Sequence, residues 1–287
     1  MVNARAIRRR LTRRFKPTRM TSFDATPPFR LIRGTRPLLL SIPHVGTHIP
    51  ESMRGDYTDT ALQLADTDWH LDRLYAFAHE MGASVLSAVH SRCVIDLNRP
   101  PDNQSLYPGQ ITTGLCSGET FRGEPVYRPA REPDAAEVER RLGAYWRPYH
   151  DALAGELERL KALHGHVLLW DAHSIASRLP RLFDDKLPDL NLGTAAGASC
   201  APELLASVAA VAQASGYTSV SNGRFKGGHI TRHYGRPADR VHAIQLELCQ
   251  CLYMDERSPF DYQPAHADRL QPTLQAMVEA ALAALQA

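Results

Sequence analysis

The sequence predicts a single α/β domain built on a mixed, mostly parallel sheet flanked by helices. Short continuous apolar runs, Pro37–Pro43, Val167–Ala172 and Ala243–Leu248, read as strands covered on both faces. These runs alternate with longer helix-like stretches, the pattern of an α/β chain. The chain has 287 residues, 44% hydrophobic and 22% charged, which suits one large core. Nothing in it approaches the roughly 18 consecutive apolar residues of a membrane span.

The elements follow in order. Residues 37–42 read as a strand. Residues 59–81 read as one amphipathic helix closed by Gly82. Ala83–Val89 and Arg92–Leu97 read as two more strands. A Pro/Gly-rich stretch, 99–133, has little periodicity, and a loop of that length inside a domain is usually functional. Asp134 opens a helix to about His164, which Pro148 should break or kink. A strand at 166–172 precedes an irregular segment, 174–200. A helix over 201–214, a strand near 217–221 and a Gly-rich segment, Asn222–Arg236, come next. The strand His242–Cys249 and a helix from about 267 to 286 complete the chain.

Charge is unevenly placed. Of 33 Lys/Arg and 31 Asp/Glu, eight basic residues and no acids fall in residues 1–19, so the remainder holds 25 basic against 31 acidic groups. We read residues 1–22 as a basic flexible tail and 23–287 as the catalytic domain. A net-acidic body argues against nucleic acid as a partner, and no membrane association is expected. The five cysteines form no CxxC pair, which suits reduced thiols in a cytoplasmic protein.

Two strand-like runs each deliver a histidine, His44 and His173. Ligands of such sheets bind at the carboxyl edge of the strands. A catalytic zinc takes three His/Asp/Glu ligands and keeps one position open, so a carboxylate is needed. On a helix at about 100° per residue, Leu64, Leu71, Tyr75 and Ala78 define a buried stripe, and Asp68 falls inside it. A lone carboxylate there is costly unless paired or bound to a cation. The commoner role of a strand-end histidine is structural hydrogen bonding, and that alternative stays open at this point. Asp171 lies on the same strand face as His173 and could orient it, or be a salt-bridged structural acid. Glu247, alone in an apolar run, could carry protons in a hydrolysis or pair with an arginine. Arg92, Asn98, Arg99, Arg224 and Arg232 could hold an anion, because a guanidinium suits a carboxylate. His229 and His233 are four apart, but their Gly-rich setting favours substrate contact or a mobile lid over metal ligation.

Six segments together resemble one family. They are Ser41–Gly46, Asp66–Trp69, Val94–Pro100, Asp171–Ser174, Asn222–Tyr234 and Gln245–Glu247, and they resemble the N-formylglutamate amidohydrolases. The resemblance spans roughly residues 36–285. It implies kinship to zinc-dependent exopeptidases and amidases, with a hydrolase-like α/β core. It also implies a His–carboxylate–His metal set and a late glutamate base, which map to His44, Asp68, His173 and Glu247. The implied reaction is hydrolysis of N-formyl-L-glutamate, a small dicarboxylate, to formate and L-glutamate in histidine degradation. Zn2+ is the expected metal, with Co2+ and Mn2+ able to share such ligands. Arg92 would stabilise the oxyanion. Asn98, Arg99 and Arg232 would bind the substrate carboxylates, with Arg224 and His229 as further contacts. Three alternatives remain: a zinc amidohydrolase for another N-acyl amino acid or a peptide, a metal-free, non-catalytic protein binding glutamate-like ligands, and a nucleic-acid interaction protein acting through the basic tail.

Overall fold

The computed structural model describes residues 25–106 and 109–285. The basic tail, residues 1–22, lies outside them. Among the described residues seven strands form the sheet: β1 (Phe29–Ile32), β2 (Leu38–Ile42), β3 (Ser84–Ala88), β4 (Val167–Ile175), β5 (Leu190–Gly193), β6 (Ser219–Ser221) and β7 (Val241–Cys249). The helices are α1 (Glu51–Arg54), α2 (Leu71–Leu74), α3 (Phe77–Glu80), α4 (Ala135–Arg141), α5 (Arg147–His164), α6 (Pro202–Ala214), α7 (His229–Tyr234) and α8 (Pro264–Ala284). The sheet order is β1-β3-β2-β4-β7-β5-β6. β2 pairs parallel with β3 and β4, β4 with β7, and β5 with β6, while β1–β3 and β5–β7 are antiparallel. The expected mixed, mostly parallel sheet is therefore what forms.

Alternation along the two longest central strands decides where polar groups emerge. Trp170 and Ala172 of β4, with Ile244, Leu246 and Leu248 of β7, share one apolar cluster with Leu204 of α6 and Leu274 of α8. Val167 and Leu169, with Val241 and Ala243, pack on the other face against Leu153, Leu157 and Leu160 of α5. On that second face the pattern changes towards the carboxyl ends. Asp171 and His173 follow Leu169, and Gln245 and Glu247 follow Ala243. A period of two thus keeps one face dry along the whole strand and turns the other polar at one edge.

Several expected elements differ. No single helix spans 59–81; a 3-10 turn at Ala61–Gln63 is followed by α2 and α3. Leu64 and His70 adopt left-handed backbone, φ 57° and 62°. The Asp68 N–H bonds the His44 carbonyl at 3.0 Å, and the Trp69 indole satisfies the Leu64 carbonyl at 3.0 Å. Tertiary partners have replaced the helical ladder. Arg92–Leu97 is a run of turns, because the Asp96 carboxylate captures the Asn98 N–H at 2.8 Å. β4 continues to Ile175, so His173 lies inside the strand rather than beyond it. β1, a half-exposed edge strand, and β5, inside the predicted irregular segment, lacked a clear signal. Asp134 does cap α4, accepting from Glu137 N–H at 2.8 Å. Pro148 is accommodated in the first turn of α5, directly after a π-type turn at Leu142–Trp146.

His150 of α5 joins three segments behind the polar edge. Its Nε2 lies 2.9 Å from the Leu97 carbonyl, which can only accept, so Nε2 carries the proton. Nδ1 therefore accepts from the Tyr234 hydroxyl of α7 at 3.0 Å. Burial lowers the His150 pKa to about 3 against the favourable Leu97 bond, and His229 and His233 push it further down. A folded-state value below the unfolded one means stability is fully present above about pH 6.5 and is lost as pH falls towards 3. The expected loss is up to about 1.4 kcal/mol per pH unit in that window. Urea titrations from pH 7 to 4 check this: the His150→Gln variant should show a shallower fall in unfolding free energy than wild type. Parallel slopes would remove His150 as the source.

Candidate metal centre

The order β2-β4-β7 lines up the carboxyl ends of three adjacent strands. His44 follows β2 after a turn, His173 lies in β4, and Glu247 in β7 is the register partner of His173. Asp68 arrives from the loop before α2, tied to His44 through the backbone. Its carboxylate Oδ2 lies 3.1 Å from His173 Nδ1 and 3.7 Å from His44 Nδ1. One donor atom from each of His44, Asp68 and His173 falls within 4.8 Å of the others, and all three side chains are buried. The four central candidates of the sequence therefore meet. Asp68 does so from a loop, so the helical phase that selected it is corrected: its burial was anticipated, its position on a helix was not.

Both imidazoles are held from behind by carboxylates. Asp96 Oδ1 lies 2.7 Å from His44 Nε2, and Asp171 Oδ1 lies 3.2 Å from His173 Nε2. At His44 the Asp96 acceptor keeps the proton on Nε2 and leaves the Nδ1 lone pair directed at a ligand. Asp171 is fixed in turn by the Ser41 and Thr231 hydroxyls, at 3.3 and 3.0 Å. Asp96 is fixed by Arg92 at 2.7 Å. Sequence reasoning missed Asp96, although a single carboxylate between Ile95 and Leu97 was a usable signal.

The electrostatics favour a cation. Burial opposes the charge on Asp68, but the His173 and His44 imidazoles hold its carboxyl well below the usual range. Burial likewise opposes charge on Asp96, which His44 and Arg92 overcome. His173 is pulled well above the ordinary histidine value against burial, chiefly by Asp171 and then Asp68. Burial raises Glu247 to about 8, with the His173 charge opposing and Asp68 adding to the rise. Asp68 and Asp96 thus share one guanidinium, Arg92, whose Nη1 is 3.8 Å from Asp68 Oδ1 and whose Nη2 is 2.7 Å from Asp96 Oδ2. Two buried atoms, His44 Nδ1 and Asp68 Oδ1, have no hydrogen-bond partner among the described residues. Unpaired buried polar atoms on a His–Asp–His set are what a divalent cation would satisfy. The residues fit the implied metal.

A cavity of about 620 Å³, counting its open mouth, lies over this cluster. His44, Arg92, Asn98, Arg99, His173, Arg224 and Glu247 line it. The long 99–133 segment supplies Ile111, Thr112, Thr113 and Phe121 to the wall, which accounts for its lack of periodicity. Asn98 Nδ2 is 2.9 Å from His173 Nε2, and its Oδ1 accepts from the Ile230 N–H at 2.8 Å. Arg99 donates to the Thr113 carbonyl at 2.6 Å. Arg224 bonds the Leu182 and Ile111 carbonyls, both at 3.2 Å. Arg232 and His229 are not among the lining residues. Arg232 Nε binds the Gly227 carbonyl at 2.8 Å, and the buried His229 ring stacks on His233 at 5.1 Å.

A parallel-centred sheet carrying this cluster and cavity at its carboxyl edge defines an α/β protein with a candidate metal centre. Residues 36–254 match the family model of N-formylglutamate amidohydrolase. The chain is 54% identical to the N-formylglutamate deformylase of Pseudomonas aeruginosa over 252 residues, covering 88% of this chain and 94% of that protein. It is 51% identical to the deformylase of Pseudomonas putida over the same shares. Among solved structures, N-formylglutamate amidohydrolase from Ralstonia eutropha aligns with a TM-score of 0.75 and 30% identity, covering 89% of this chain and 97% of that one. A gene product of Agrobacterium tumefaciens, 16% identical with a TM-score of 0.69 over 89% of this chain and 95% of that one, shares the fold. The chain belongs to the N-formylglutamate amidohydrolase family.

Metal analysis tests the centre. Wild type should retain about one equivalent of divalent ion, whereas Asp68→Asn and His173→Ala should fall to background. Asp96→Asn should weaken binding by about 10–100-fold, the usual effect of losing a carboxylate behind a ligating histidine. Full retention in Asp68→Asn and His173→Ala would rule out this ligand set.

Proposed function

We propose that the chain hydrolyses N-formyl-L-glutamate to formate and L-glutamate. The observation that carries this reading is the His44–Asp68–His173 cluster beneath a cavity whose wall His44 and His173 share with Glu247, Arg99 and Arg224. The relatives named as deformylases support the substrate. Residues 23–287 would form the catalytic domain. A cytoplasmic location would suit the five free cysteines. No helix among the described residues is long and apolar enough to cross a membrane.

His44, Asp68 and His173 would hold the metal, with Zn2+ the first choice and Co2+ or Mn2+ able to take the same ligands. When bound, such an ion supplies Lewis acidity to the formyl carbonyl and to the attacking water. Glu247, as the carboxylate, removes a proton from that water and returns it to the departing glutamate nitrogen. The water oxygen adds to the formyl carbon to give a tetrahedral oxyanion, and the C–N bond breaks as that adduct collapses, leaving formate and the amine. Burial pushes the Glu247 carboxyl upward, and a cation bound beside it would draw it back towards the carboxylate this role requires. Arg92, at the cavity wall beside Asp68, would stabilise the developing oxyanion. Asp171 and Asp96 keep the imidazoles aligned throughout.

Arg99 and Arg224 are the guanidinium groups best placed for the two substrate carboxylates, with Asn98 beside His173. Arg232, anchored to Gly227 outside the lining, would act through the Gly-rich turn, and His229 would buttress α7. This ordering promotes Arg224 over Arg232 relative to the sequence-based expectation.

Formate release from N-formylglutamate measures the activity directly. Glu247→Gln should lower kcat by about 10²–10⁴-fold, the usual worth of a general acid–base group. Wild-type rates in that variant would sink the assigned base, and a metal-loaded wild type active only on other acyl amino acids would sink the substrate. Arg99→Met and Arg224→Met should act mainly through KM, each raising it about tenfold or more, as expected for lost charge-assisted carboxylate bonds of about 1.5–3 kcal/mol. An unchanged KM in both would remove them from the carboxylate site.

A further inference from the structure

Gln245 lies two residues before Glu247 on the same face of β7, lines the cavity and is buried to 4% exposure. Its orientation follows from its partners. The Gly228 N–H lies 2.7 Å from one amide atom, and an N–H can only donate, so that atom is the oxygen, Oε1. The amide nitrogen therefore faces Glu247 Oε2, at 3.3 Å. An NH2 group can only donate, so Oε2 must present a lone pair to it and cannot carry a proton towards it.

Gly228 is itself held in place. A Cβ there would meet the Asn98 side chain at 2.3 Å, so the close approach of the Gly-Gly turn to Asn98 requires a glycine. Asn98 in turn touches His173 and α7. The Gln245 amide is thus pinned by backbone on one side and delivers its donor to the candidate base on the other.

We propose that Gln245 is a positioning residue for Glu247: its amide holds Oε2 as a permanent acceptor and leaves Oε1 as the oxygen that takes and returns the proton. The inference rests on the assignment of Glu247 as base in the proposed reaction. Gln245 touches neither reacting atom and acts only through the carboxylate. Losing it frees the carboxylate to rotate, so the reacting oxygen is correctly placed for a smaller fraction of the time.

Formate release by metal-loaded wild type, Gln245→Met, Gln245→Glu and Glu247→Gln tests this, with metal content and KM measured for each. Gln245→Met keeps the length of the side chain and removes both hydrogen bonds. It should lower kcat about 10–100-fold with KM within about twofold and metal content unchanged. Should the methionine variant not fold, Gln245→Glu carries the same expectation, because it places an acceptor against an acceptor at nearly constant shape. In the Glu247→Gln background, either substitution should cost little more, since a residue acting only through Glu247 has nothing left to position. Wild-type kcat in the Gln245 variants, a loss expressed in KM or metal content, or full additivity with Glu247→Gln would each overturn the inference while leaving the proposed reaction standing. An inactive wild type or a fully active Glu247→Gln overturns the reaction or its base, and the inference with it.

Discussion

Burial of negative charge at the carboxyl edge of β2, β4 and β7 is the constraint on which the rest of this structure depends. Asp68, Asp96, Asp171 and Glu247 are all at most 7% exposed, with Arg92 as the guanidinium among them. Uncompensated carboxylates in such surroundings are expensive, so each must be paired, protonated or bound to a cation. The protein uses the first two and has the residues for the third. Asp96 pairs with Arg92, Glu247 shifts towards its protonated form, and Asp68 faces two imidazoles whose Nδ1 atoms it can share with a divalent ion. Breaking any one of these arrangements would leave a buried charge behind, which is why the site forms a connected unit.

The scaffold meets that constraint by geometry. Parallel pairing of β2, β4 and β7 brings three chain-distant residues to one edge without long-range loops. The two nine-residue strands, β4 and β7, run past the end of β2 and project His173 and Glu247 on the same face. Dry packing of Trp170, Ala172, Leu246 and Leu248 behind them holds that edge rigid. The antiparallel partner β5 closes the far side, where Asn191 Nδ2 donates to the Glu247 carbonyl at 3.1 Å. Loops supply the remaining parts: Asp68, Asp96, Asn98 and the cavity wall come from segments whose backbone is shaped by tertiary partners.

The legibility of the chain follows the same division. Glu247 could be read because it is a polar residue embedded in an apolar strand, a pattern that burial makes costly without a function, and His173 because an apolar run leads into it, although β4 in fact extends past it. His44 could be read from the strand before it. Asp68 was reached through a helix that does not form, because its apolar neighbours have helical spacing while their backbone bonds go elsewhere. Asp96 was passed over because the turn around it reads like a strand, and the substrate arginines could not be ranked from spacing alone.

By itself the sequence determined the sheet class and the buried strands with their polar carboxyl ends, since those depend on local apolar periodicity and on side chains that burial makes costly, while the family came from the resemblance of six segments in order. Only the tertiary structure decided strand order, which carboxylate stands behind which histidine, and which arginines face the cavity. Those depend on contacts between segments far apart in the chain, such as Asp68 with His173 and Gly228 with Gln245, and no periodicity within either segment encodes the distance between them.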